Sequence, residues 1–152
     1  MKQTDKKNKK QRLWIVTELF HPDELATSYI LTHIANALAD RYEVHAICGP
    51  VIASGNSLPL HNDIRIHRTT IANISKNHII SRIFRFLILT TLMSMRVIFH
   101  CRRSDKVLCV TNPAPIILII QMIKRIIGFH LTILVHDVFP ENTIPAGLCH
   151  SD

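Results

Sequence analysis

The end of the chain holds its densest run of reactive side chains. Residues 131–135 are apolar and of strand length, and His136, Asp137 and Glu141 follow almost at once. An imidazole beside a carboxylate suits proton transfer: Asp137 can act as a base, or it can hold His136 in one tautomer while the ring carries the proton. A plainer role is also open, with Asp137 capping a turn and His136 packed as a polar side chain. Other apolar runs end in the same way. Glu18 and His21 follow residues 13–17, Gly49 follows residues 43–48, and Thr111 and Asn112 close residues 106–111. If these runs are parallel strands, all of these residues share one rim, the carboxyl edge where open α/β sheets bind ligands.

The elements that must hold this rim are legible as an alternation. Residues 1–12 read as a basic solvated tail, and residues 13–152 as one domain. Strands are expected at 13–17, 43–48, 64–68, 106–111 and 131–135, as near-continuous apolar runs of the kind found when both sheet faces are covered. Thr27 or Ser28 can cap a helix running to about residue 40, with Tyr29, Ile30, Ile34, Ala37 and Leu38 giving its helical period. Gly49-Pro50 closes the second strand, and residues 51–62 form a loop with Gly55, Asn56 and Pro59. A long helix is expected over 78–103. Another begins near Pro113 and Pro115, which suit a first turn, and stops at Gly128. The fold class this predicts is α/β, a Rossmann-like parallel sheet with helices on both faces.

Composition narrows the function classes. The 152 residues are 47% hydrophobic with only 4 Gly, enough for a packed core. The net charge of +7 is unevenly placed: between Asp63 and Asp137 Asp105 is the one acid among eleven Lys or Arg residues. Such a surface attracts anionic neighbours, whether lipid head groups, nucleic acid or phosphorylated substrates. Cys48, Cys101, Cys109 and Cys149 form no CxxC pair and read as reduced, small hydrophobes. The first apolar run is interrupted by Glu18, unlike a secretory signal. Longer apolar stretches are broken by Arg82, Arg85 and Arg96, or by Lys124 and Arg125, which argues against a membrane span. There is no GxGxxG after the first strand, no P-loop and no HExxH, so neither a dinucleotide site nor a metal is expected.

The long helix carries a pattern of its own. At 100° per residue Arg82, Arg85, Arg96 and Arg103 fall on one stripe with Leu89 and Leu92 between them, while Ile80, Ile83, Leu87 and Ile98 lie opposite and suit the core. Leucines flanked by arginines predict a membrane-facing stripe on anionic lipid, with an ordinary solvated basic face, or a face covered by missing chain, as the alternatives. Few aromatics accompany the arginines, which disfavours nucleic acid.

Four stretches together resemble a known family. Residues 13–24 (LWIVTELFHPDE) are similar to a first strand and an F-x-P-E turn, and residues 31–50 (LTHIANALADRYEVHAICGP) to a helix and an HEV-type second strand. Residues 110–115 (VTNPAP) are similar to a T-S-P-P turn, and residues 136–141 (HDVFPE) to Q-D-x-x-P-E. In this order they resemble the N-terminal half of bacterial family 4 glycosyltransferases of the two-domain GT-B fold, in the branch that builds capsule, O-antigen and colanic-acid-type polysaccharides. The family's Gly-Gly pair after the first strand is replaced here by Asp23-Glu24-Leu25-Ala26-Thr27, and its C-terminal E-x7-E element is not in this sequence.

The resemblance implies an incomplete acceptor-side domain of a hexosyltransferase, inactive by itself. It would pass a sugar from a nucleotide-sugar, held mainly by a C-terminal domain or a partner subunit, to a lipid-linked or polysaccharide acceptor. His136 and Asp137 would be catalytic, and Glu18, His21, Gly49, Thr111, Asn112 and Glu141 would bind substrate. No cofactor or metal is implied. The location implied is peripheral, on the inner face of the cytoplasmic membrane. Two alternatives remain: a non-catalytic membrane-docking subunit of a split glycosyltransferase, and an unrelated Rossmann-like nucleotide binder.

Overall fold

The computed structural model describes residues 10–52, 55, 58–71, 79–111, 113 and 115–135, with the backbone alone at positions 79, 80 and 82. Strands and helices alternate along it: β1 (Gln11–Thr17), α1 (Ala26–Ala39), β2 (Tyr42–Cys48), β3 (Arg65–Arg68), α2 (Ile79–His100), β4 (Lys106–Val110), α3 (Ile116–Ile127) and β5 (His130–Leu134). The strands form one sheet in the order β3-β2-β1-β4-β5, and every pairing is parallel. The expected α/β, Rossmann-like architecture is what the chain adopts.

Side-chain alternation sorts β1 between two cores. Leu13 and Ile15 pack with Leu31, Ala35 and Ala39 of α1. Trp14 and Val16 pack on the other face with Leu89, Met93 and Val97 of α2 and Ile116, Ile120 and Ile123 of α3. The helix after β1 therefore covers one face and the helix after β4 covers the other. The crevice between the carboxyl ends of β1 and β4 is the topological switch point, the usual ligand position in such sheets.

The helices depart from expectation in their rotation. In α1 the inward residues are Ser28, Leu31, Thr32, Ala35 and Ala39; of the expected periodic set Ile34 and Leu38 pack half-buried against that core, while Tyr29 and Ile30 are exposed. Small side chains at 28, 35 and 39 let the helix lie close on the sheet, which the larger residues would prevent. Its N-cap is Leu25, without a side-chain cap, rather than Thr27 or Ser28.

In α2 the expected stripe is reversed. Leu89 is 1% exposed and sits in the core with Met93 and Val97, so it does not face a membrane. Ile83, Leu87 and Ile98, expected inside, point outward with Phe84 and Phe99. The i, i+4, i+8 set of Leu89, Met93 and Val97 has the better apolar row, and two flanking polar residues bury cheaply. Thr90 and Ser94 donate their hydroxyls to the carbonyls of Phe86 and Thr90 at 2.8 and 2.7 Å. Leu92, Arg85 and Arg96 lie half-buried on the flank, and Arg103 is exposed beyond the helix end. The side chain of Arg82 lies outside the described residues.

By length and composition Ile83–His100 could cross a membrane. Its inner row is packed on the sheet, however, so α2 is the crossover helix between β3 and β4.

The tail is shorter than expected, because Gln11 and Arg12 already belong to β1. Asp105, 2% exposed, fixes Arg12. Its carboxylate accepts from Arg12 Nε at 3.1 Å, from Trp14 Nε1 at 3.0 Å and from the Arg102 backbone N–H at 2.9 Å, and Arg12 Nη2 lies 2.9 Å from Oδ2. A fork-shaped guanidinium pair with two further donors satisfies a carboxylate that burial would otherwise penalise.

Gly128 ends α3 at φ 83°, donating its N–H to the Lys124 carbonyl at 2.7 Å.

Candidate functional site

The register brings the rim residues to one level. Thr17 pairs with Cys48, so Glu18 leaves the sheet opposite Gly49. Val16 pairs with Cys109, so Glu18 and Thr111, each two residues on, leave together across the switch point. The Thr111 N–H donates to the Leu134 carbonyl at 3.2 Å, joining the end of β4 to the end of β5. Glu18, His21, Gly49 and Thr111 thus share the carboxyl edge. Asn112, His136, Asp137 and Glu141 lie outside the described residues.

Two residues that sequence reading passed over organise this edge. Arg68, the last residue of β3, donates through Nη1 to the Gly49 carbonyl at 3.2 Å and through Nη2 to the His21 carbonyl. It thereby ties the loops after β1 and β2 to the third strand. The signal was present: Arg68 stands at a strand's carboxyl end, as Gly49 and Thr111 do. Asp23, 3% exposed, accepts the Ile52 backbone N–H at 2.7 Å through Oδ1 and pins the β2–β3 loop to the β1–α1 loop.

Burial and charge compete at Glu18. Burial raises its carboxyl above the ordinary range; Arg85, on the inner flank of α2, pulls it down, and Asp23 pushes it up. The arginine thus acts on the rim carboxylate from the helix that crosses behind it. The His21 ring has its Nδ1 buried and lacking a hydrogen-bond partner among the described residues. A buried ring nitrogen without a partner can accept from or donate to a bound polar group.

The three described cysteines take no part in this chemistry. Burial pushes the Cys48 thiol to about 11 and those of Cys101 and Cys109 to about 12, leaving them protonated at neutral pH. Among the described residues no group of three or more His, Cys, Asp or Glu side chains is arranged to hold a metal ion.

A second polar region lies at the opposite, amino-terminal edge. A cavity of about 490 Å³ is lined there by Lys10, Arg12, Arg65, Arg102, Glu43 and Asp105, among others, with His45 at its floor. Beneath α2, the rings of Trp14 and His45 stack at 4.4 Å, and His45 Nδ1 lies 3.2 Å from His67 Nε2. The His100 ring is 5.3 Å from that of His67. Burial lowers the pKa of both His45 and His67; Glu43 opposes this at His45, while His45, His100, Arg96 and Arg65 add to it at His67.

No family model matches the chain. It is similar to the "Probable glycosyltransferase WbjE" of Pseudomonas aeruginosa, with 27% identity over 141 residues, which are 93% of this chain and 35% of that protein. The chain therefore spans about a third of the relative's length.

Proposed function

We propose that this chain is the N-terminal, acceptor-side part of a glycosyltransferase, of the family 4 GT-B type, working in cell-surface polysaccharide synthesis. The observation that supports it is that Glu18 and Thr111 leave the sheet together at the switch point, with Gly49 beside Glu18 on the same carboxyl edge. Similarity to a probable glycosyltransferase along 93% of the chain agrees with it. The reaction is attack of an acceptor hydroxyl on the anomeric carbon of a nucleotide-sugar, with the nucleoside diphosphate leaving and the hydroxyl proton passing to a base. By the family resemblance, Asp137 or His136 would serve as that base, and Glu141 would bind substrate. Glu18, His21 and Thr111 line the acceptor side, Gly49 leaves room for substrate, and by the family resemblance Asn112 would bind substrate with them.

The acceptor is lipid-linked, and the protein works peripherally at the inner face of the cytoplasmic membrane. The eleven cations and one buried acid between Asp63 and Asp137 agree with a diphosphate-bearing acceptor. The donor is held mainly by a C-terminal domain or partner subunit. Calorimetry with nucleotide-sugars tests this division. Weak binding by this chain, with label transfer to lipid appearing once a donor-binding part is added, is expected. Tight binding of a dinucleotide by this chain alone would point to an unrelated nucleotide binder instead.

A split enzyme in which this chain is a non-catalytic docking subunit is a second reading. The apolar outer face of α2 favours it.

A further inference from the structure

We propose that the outer face of α2 and α3 is the surface that docks this protein on an anionic lipid bilayer. The inference rests on the lipid-linked acceptor proposed above and names the face that meets the lipid. Phe84, Leu87 and Phe99 of α2 and Leu118, Met122 and Ile126 of α3 are all 50–85% exposed. The two helices lie side by side on the same sheet face, packed over one core, and each turns its second apolar row outward. Positions 118, 122 and 126 follow the i, i+4, i+8 spacing of a single stripe, as do 83, 84, 87, 95, 98 and 99 of a broader one. Paired apolar stripes of this size on a protein surface mark an interaction site.

Charge selects the occupant. The described part of residues 64–135 exposes no carboxylate, since Asp105 is buried and paired with Arg12. Cations gather where both helices end. Arg102 and Arg103 follow α2, Lys124 and Arg125 close α3, and all four are exposed. The side chain of Arg103 runs along Gly128, where an added Cβ would meet its Cγ at 3.4 Å, so the two sets are neighbours. Apolar side chains flanked by cations, with no anion to repel phosphate, suit immersion at the head-group boundary of a bilayer. The row once expected to do this, with Leu89 in its middle, is instead the row that anchors α2 to the sheet.

The test is sedimentation of the purified protein with phosphatidylglycerol-rich and with pure phosphatidylcholine vesicles, beside analytical ultracentrifugation without lipid. Binding to the anionic vesicles is expected. It should fall more than about tenfold in Phe84→Ser/Phe99→Ser/Ile126→Ser and in Arg103→Glu/Lys124→Glu/Arg125→Glu. These positions are exposed, and circular dichroism checks that both variants stay folded. Equal binding to both vesicles, or binding that neither variant changes, overturns the proposal. So does absence of vesicle binding with a dimer that the serine variant dissociates, which would assign the face to a second copy. Absence of both overturns it in favour of cover by another segment. Because no turnover is read, a negative result leaves the transferase reading standing, and a positive one does not prove it.

Discussion

The Gly49 N–H donates to the Glu18 carbonyl oxygen at 2.9 Å, and a Cβ on residue 49 would stand only 2.9 Å from that same oxygen. The loops after β1 and β2 are thus in backbone contact, and the glycine is needed for that approach rather than for a positive φ. Replacing Gly by Ala ordinarily stabilises by about 0.4–1 kcal/mol through the unfolded chain. Here the clash is with backbone, and overpacking of about 1–3 kcal/mol should win. Gly49→Ala is therefore expected to lower the urea midpoint. An unchanged or raised midpoint would show that the loops part freely.

Glu18 should trade stability against its place on the rim. Burial raises its folded pKa above the unfolded value of about 4.3. Its contribution is therefore favourable below that value and is lost as pH rises through the folded one. Glu18→Gln should melt higher than the parent at pH 7 and about equally near pH 4. Arg85→Gln should move the Glu18 carboxyl titration, followed by NMR, further upward. An unchanged titration would mean that Arg85 does not act on Glu18.

The imidazoles beneath α2 predict loss of stability in mild acid. His45 and His67 have folded pKa values lowered mainly by burial, so below the unfolded value of about 6.5 the unfolded chain takes up protons that the folded chain resists. Melting temperature should fall between pH 7.5 and 5.5, above the window in which ordinary carboxylates titrate. His67→Gln should flatten that slope. An identical slope in the variant would place the titrating group elsewhere.

Asp105 should be the costliest polar residue to remove. Asp105→Ala leaves Arg12, the Trp14 indole N–H and the Arg102 N–H without their acceptor. Breaking a buried pair costs about 3–5 kcal/mol, and because the Arg12 side chain is 24% exposed and can reach water the lower end is expected. Chemical denaturation gives the figure directly, and a loss under about 1 kcal/mol would show that these donors find other partners when Asp105 is removed.

Much of this arrangement is legible in the sequence. The apolar runs mark all five strands to within two residues at either end, and Gly128 marks the end of α3, because doubly covered strands and αL caps leave local signatures. Helix rotation is not local. Nearly every turn of α2 offers an apolar residue, so Leu89 and Leu87 look equivalent until the sheet and α3 choose between them. Ser28, Thr90 and Ser94 on the inner faces are equally hard to foresee, since close helix approach rewards small side chains that hydropathy ranks low. At the rim, strand ends reveal Glu18, Gly49 and Thr111 and carry the same signal for Arg68, whereas Asp23 emerges only from the loop-to-loop bond it makes.

The most direct experiment is chemical-shift mapping of the 15N-labelled protein titrated with a soluble, short-chain prenyl diphosphate-linked sugar. An acceptor bound at the switch point should perturb Glu18, His21, Gly49 and Thr111 together, and Gly49→Ala should weaken the response. Perturbation confined to the amino-edge cavity around Lys10, Arg12 and Arg65, or no saturable perturbation, would contradict an acceptor site at the carboxyl edge.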